Sequence, residues 1–176
     1  ILIPKLEASR LKHSNSSLKP NETTILRQIM GKVNWVIRAT RPDLAFDMVY
    51  LSTRFHRGVV QDIKEASTLI SKMQKNKATI RIPDLKDTTD LEIWSFSDAS
   101  HGTVDDKDGS VGAYLIFLAN KSTGTAAPIA WKASKLKRVA ISTHEAETLA
   151  LQAALNAAIG VQQIAKECLN YTVPIE

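Results

Sequence analysis

Apolar positions recur at helical spacing through the first half of the chain and in strand-like runs after it. Ile25, Ile29, Val33 and Val36 repeat every three or four residues, with Met30 and Ile37 filling the same face, so a helix is predicted to start after Asn21. Gly31 lies inside it. A helical glycine costs about 1 kcal/mol against alanine, so close packing is its expected reason. Pro42 suits a first helical turn, and Leu44, Met48, Leu51 and Phe55 form the stripe of a second helix closed by Gly58. A third helix is predicted over 61–76, with Ile63, Ala66, Leu69, Ile70 and Met73 inward. Residues 1–20 show no sustained period and read as a linker or arm; residues 84–90 read as a polar tether.

The period changes at residue 91. Ile93, Trp94 and Phe96 carry β-branched and aromatic weight, and alternation puts Trp94, Phe96 and Asp98 on one face of a strand. Residues 111–119 are a continuous apolar run suited to a central strand, and 128–132 form a third strand after the turn at 121–124. Three aspartates at 105, 106 and 108 suggest a calcium loop, but no glutamate closes the twelve-residue spacing. A polar hairpin turn around Asp108 and Gly109 is expected instead. A long helix follows to about Cys168, with Ser142 or Thr143 as N-cap and Glu145 completing a capping box. Its alanines at 146, 150, 153, 154, 157 and 158 allow close approach to a sheet, and a further strand begins at Val173. The fold class is α/β, α+β overall: a helical segment over 21–83, then a three-stranded antiparallel meander, a long helix and the start of a fourth strand over 91–176.

Composition adds less. The 176 residues are 44% hydrophobic and 23% charged, as in a folded globular protein. The charge is uneven. Residues 1–90 hold 16 Lys and Arg against 9 Asp and Glu, and residues 91–176 hold 7 against 9. A basic half beside a mildly acidic one suits a phosphate-contacting surface beside a cation site, or simply solvated helix faces. The single cysteine, Cys168, excludes an internal disulfide and is expected to be a buried small hydrophobe. No apolar run approaches the roughly 18 residues of a membrane helix. Ile1 at the start and the strand-like 173–176 at the end read as an excerpt of a longer polypeptide.

The candidate chemistry is acidic. An acid ending an apolar strand is costly to bury without a partner, and a metal ion is one such partner. Asp98 ends the first strand, and Glu147 lies in the first turns of the helix expected to cover that strand's face. Acids so paired can hold two divalent metals about 4 Å apart for in-line phosphodiester cleavage. Glu145 is assigned to the cap, because residues two apart on a helix point roughly 200° apart. His101 and His144 are possible proton carriers or ordinary surface residues.

Ser97-Asp98-Ala99-Ser100, the meander, and Ser142-Thr143-His144-Glu145-Ala146-Glu147-Thr148-Leu149-Ala150-Leu151 together resemble the ribonuclease H domain of copia-type LTR retrotransposon polyproteins. Upstream, the run from Arg27-Gln28-Ile29-Met30-Gly31 through Lys32-Val33-Asn34-Trp35, and Thr40-Arg41-Pro42-Asp43-Leu44-Ala45-Phe46, resemble the thumb and connection region that follows the polymerase palm. The resemblance implies a truncated ribonuclease H-like fold over 91–176 after a reverse transcriptase segment over 21–83. It makes Asp98 the first catalytic aspartate and Glu147 the helix glutamate, both ligands of Mg2+ or Mn2+. It implies two-metal hydrolysis of the RNA strand of an RNA–DNA hybrid during reverse transcription. The expected partners are the hybrid and the remainder of the Pol polyprotein, with no membrane, in a cytoplasmic particle or the nucleus. Lys132, Lys135, Lys137 and Arg138 are candidate phosphate contacts, or alternatively a solvated loop. The family also uses an aspartate at the end of the next strand and a later acid. Glu176 does not match that aspartate, so the expected site is incomplete. The alternative is a non-catalytic nucleic-acid-binding or structural module from a decayed or domesticated element.

Overall fold

A computed structural model describes residues 7–55, 57–104 and 109–176. The expected polar turn around Asp108 and Gly109 falls partly outside them: Asp108 is not among the described residues, and Gly109 opens the strand that follows. The chain forms two compact units, 1–79 and 80–176.

The first unit holds a short helix α1 (Ala8–Leu11), then α2 (Pro20–Thr40), a 3₁₀ turn at Pro42–Leu44, α3 (Ala45–Thr53) and α4 (Val60–Lys75). Its core joins Leu26, Ile29, Met30, Val33 and Ile37 of α2 to Leu44, Met48 and Leu51, and to Ile63, Ala66, Leu69 and Ile70 of α4. Ile29, Met30, Val33 and Ile37 face inward as expected, and the stripe differs at its margins. Leu26 is buried, Ile25 is exposed and Val36 is half-buried. Gly31 is exposed with open space around it, so close packing is not its reason. The second helix ends at Thr53, before the expected stop at Gly58. Both α2 and α4 begin with an acid that folds back on the chain. Glu22 Oε2 accepts from the Lys19 amide at 2.7 Å, and Asp62 Oδ2 accepts from the Val59 amide at 3.0 Å, meeting donors that helix starts leave unpaired. Residues 14–18, before α2, are tied to the start of α4. Leu18 donates to Gly58 O at 2.7 Å, and Val60 and Gln61 donate to Ser16 O and Ser14 O at 3.0 and 2.9 Å.

The second unit is a sheet with one helix on it. Strands β1 (Leu91–Val104), β2 (Gly109–Asn120) and β3 (Thr125–Lys135) pair antiparallel in the order β1-β2-β3. The β2–β3 turn uses Gly124 at φ 68°, where a side chain would be strained. Helix α5 (Thr143–Leu169) follows, and Ser142 Oγ accepts from the Glu145 amide at 3.1 Å, as the capping pattern predicts. Glu145 reaches back one residue further than expected, to the Ile141 amide at 2.9 Å. Ala146, Ala150, Ala154 and Ala158 form the buried row that lets α5 approach the sheet, while Ala153 is exposed. Cys168 is exposed, correcting the expectation of a buried thiol.

After α5 the chain returns to β1. Ile175 bridges Ile93 in parallel, with Ile93 donating to Pro174 O at 2.8 Å and Glu176 donating to Ile93 O at 2.8 Å. Parallel pairing requires a crossover, and α5 supplies it. The expected beginning of a strand at Val173 is therefore realised on the outer edge of β1, opposite β2. Ile93, Ile116, Ala158 and Val173 close the core between sheet and helix.

Candidate active site

Register fixes where Asp98 stands. It pairs with Ala113, and its neighbour Ala99 pairs with Gly112. Paired residues in a sheet share a face, and successive residues alternate. Gly112 is the residue that meets α5, for a methyl group on it would lie 3.2 Å from the Ala150 β-carbon. Asp98 therefore stands on the face turned away from α5, with Trp94 and Phe96. This corrects the expectation that the helix covers their face. The reason is the parity of Ile93, which is fully buried and packs with the helix.

Asp98 is exposed and Glu147 is half-buried. Glu147 follows Ala146, the first alanine of the buried row, in the opening turns of α5. The contact of Gly112 with Ala150 sets those turns over the same end of the sheet where β1 carries Asp98. The two acids share one end of the strand layer but lie on different faces of it. Neither takes part in a hydrogen bond or ion pair among the described residues. Among those residues, no three His, Cys, Asp or Glu side chains gather as a metal-binding group. His101 continues β1 beyond Asp98, and its Nε2 lies 2.9 Å from the carbonyl of Ala140. His144 is exposed on α5.

The four basic candidates are all exposed, but they do not form one loop. Lys132 and Lys135 belong to β3, and Lys137 and Arg138 follow it. The sheet face turned away from α5 is apolar. Phe96 meets Phe117 edge-on with centroids 5.9 Å apart, and Phe96 is 54% and Leu115 40% exposed. At one end of that face Glu92 is buried, accepting from Trp94 Nε1 at 2.5 Å with Lys121 Nζ at 3.6 Å.

In the first unit the structure adds a surface that the motif alone did not separate from the core. Trp35 is 72% exposed. With Thr24, Gln28, Gly31 and Arg38 it forms the solvent face of α2, flanked by Arg27 and Lys32. The signal lay in the helical period, which sets Trp35 roughly opposite Val33.

No family model matches the chain, and no solved structure matches it. The chain is similar to a Saccharomyces cerevisiae protein named "Putative transposon Ty5-1 protein", with 24% identity over 127 residues. The match takes in 72% of this chain and 39% of that protein, so the chain spans well under half the length of its relative. Among the described residues, no helix is long and apolar enough to cross a membrane.

Proposed function

We propose that residues 91–176 are a ribonuclease H-like domain of a retrotransposon polyprotein that cleaves the RNA strand of RNA–DNA hybrids with Mg2+ or Mn2+. The observation that carries this reading is the parallel return of Pro174 to Glu176 beside β1, after a meander and an α5 crossover. It supports the element order that the sequence resemblance implies: a meander, a long helix and the start of a fourth strand. By the resemblance Asp98 and Glu147 would be the carboxylates that hold the ion; neither has another partner among the described residues, and they stand on different faces of the strand layer. Magnesium is held by few carboxylates and keeps several waters. Bound there, the ion supplies activation of water and stabilisation of phosphoryl charge. In the first unit, the α2 face around Trp35 suits nucleic acid, with Arg27, Lys32 and Arg38 for phosphates and an indole for stacking.

A second reading, a non-catalytic nucleic-acid-binding module from the same kind of element, is favoured by one observation. Asp98 and Glu147 lie on different faces of the strand layer, so the acids are not gathered as a site.

The test is cleavage of a labelled RNA–DNA hybrid in Mg2+ or Mn2+, with Asp98→Asn as control. Loss of RNA-strand cleavage in the control assigns the nuclease. Absence of cleavage by the unaltered protein, with salt-dependent hybrid binding retained, refutes the enzyme and leaves the binding module.

A further inference from the structure

The sheet of the second unit has two unlike faces. The face under α5 is mainly aliphatic: Ile93, Ile116, Leu118 and Ala130 pack there with Ala158 of the helix. The other face is aromatic. Register aligns Phe96, Leu115 and Trp131 as one row across the three strands, and Trp94, Phe117 and Pro128 as the next. Paired residues share a face, so two of the chain's four phenylalanines and two of its three tryptophans stand together. Phe96 and Leu115 remain exposed, as does Ile129, the residue left unpaired where β3 bulges between these rows.

Charge is segregated across the same sheet. From Gly109 to His144 the sequence holds five Lys and Arg and no Asp or Glu. Lys121 lies in the β2–β3 turn, Lys132 and Lys135 on β3, and Lys137 and Arg138 directly after it, and all five are exposed. In the order β1-β2-β3 this puts the cations along one side of the sheet. The acids of the aromatic face, Glu92 and Asp98, are both on β1, across the central strand from β3. Glu92 is buried against Trp94 and Lys121, and Asp98 is one row beyond Phe96.

A protein segment that covered this face would need its apolar rings alone and would have no use for a border of one sign. A single strand of nucleic acid uses both. Its bases stack on aromatic rings whatever their sequence, and its phosphates are met by lysine and arginine at the rim. A duplex keeps its bases stacked inside, out of reach of such a platform. We infer that the face carrying Trp94, Phe96, Phe117 and Trp131 binds single-stranded nucleic acid, with bases on the rings and phosphates along β3. The inference stands apart from the nuclease reading, for it uses neither Asp98 nor Glu147 nor a cation.

The experiment uses the full chain with Trp35→Ala, which removes the stacking platform proposed on α2 and leaves Trp94 and Trp131 as the only tryptophans. Their fluorescence is followed as a labelled oligothymidylate of about twelve nucleotides, within the site size of such platforms, is added. Anisotropy of the label reports binding. Tryptophan quenching is expected to saturate together with anisotropy. In the same background, Phe96→Ala and Phe96→Leu are each expected to weaken binding by about tenfold or more, and Phe96→Trp to retain it. Phe96→Leu keeps an apolar side chain without a ring, so it separates stacking from simple covering. Lys132→Ala combined with Lys137→Ala lowers the salt slope of binding. A duplex of the same length binds more weakly and does not quench.

Absence of binding, or anisotropy without quenching, overturns the inference. So does undiminished affinity in Phe96→Ala or Phe96→Leu, or a duplex that binds and quenches as the single strand does. A concentration-dependent dimer that Phe96→Ala dissolves, with oligonucleotide binding unaltered, assigns the face to a second copy of the chain and overturns it as well. If the Phe96 variants do not fold, the quenching and the lysine pair decide.

Discussion

The guanidinium of Arg41 donates to the carbonyl of Met73, 32 residues away, at 2.9 Å. The same side chain grips Asp43 with two bonds of 2.8 Å. A buried arginine thereby joins the turn between α2 and α3 to the end of α4. Removing it leaves a carbonyl and a carboxylate without their donor. Arg41→Met is expected to cost about 2 kcal/mol, read as a lower urea midpoint for the helical unit. Arg41→Lys recovers little of this, because an ammonium cannot make the planar fork.

Acid weakens the same unit. The Arg10 guanidinium beside Glu22, helped by the Lys19 amide, holds the Glu22 carboxyl below its ordinary value. Arg41 does the same for Asp43. A carboxyl whose folded value is depressed contributes stability above its unfolded value and loses it as pH falls through the folded one. The helical unit is therefore expected to unfold at lower urea at pH 3 than at pH 6. Glu22→Gln is less stable at pH 6 and shows a shallower acid dependence. An unchanged dependence in that variant would refute the assignment.

Ser142→Ala removes the acceptor for the Glu145 amide and is expected to cost about 1 kcal/mol, the usual worth of such a cap. The loss falls on the first turn of α5. Amide exchange should accelerate at Glu145 and leave Ala158 protected.

Asp98→Asn is expected to change stability by less than about 0.5 kcal/mol. An exposed carboxylate without a hydrogen bond or ion pair among the described residues supports nothing in the fold. A large loss on thermal unfolding would mean that Asp98 is structural.

The α2 face gives a separable pair of outcomes. Trp35→Ala is expected to weaken single-strand or hybrid binding by about 1–3 kcal/mol, as removal of a stacking platform does. Lys32→Ala is expected to weaken it with a smaller salt slope, by about one unit for each lost phosphate contact. Unaltered binding in both variants would remove this face from the nucleic-acid surface.

Helix and strand positions were legible in the sequence because they follow from local periods. The stripe Ile63, Ala66, Leu69 and Ile70, the run of residues 111–119, the turn before Gly124, and the Ser142 cap all depend on neighbours within a few residues. The candidate acids were picked out by the same local patterns, but Asp98, expected to end its strand, lies inside β1, which runs on to Val104, while Glu147 does fall in the opening turns of α5. The sequence resemblance supplied their proposed roles. The fit of each element to the rest was not legible. Whether α5 lies over Ile93 or over Trp94 depends on which parity of β1 finds the alanine row, and both parities carry apolar residues. Gly31 and Cys168 were misplaced because a small residue on a helix says nothing of what lies beside it. The closeness of Gly112 to Ala150 and the reach of Arg41 to Met73 join residues far apart in the chain. The pairing of Ile175 with Ile93 spans the whole second unit, and although the sequence marked Val173 as the start of a strand, only the packed sheet decided which edge it joins. Local order needs only the period of the backbone; the partner across a gap is chosen by burial and register, which exist only once the chain has folded.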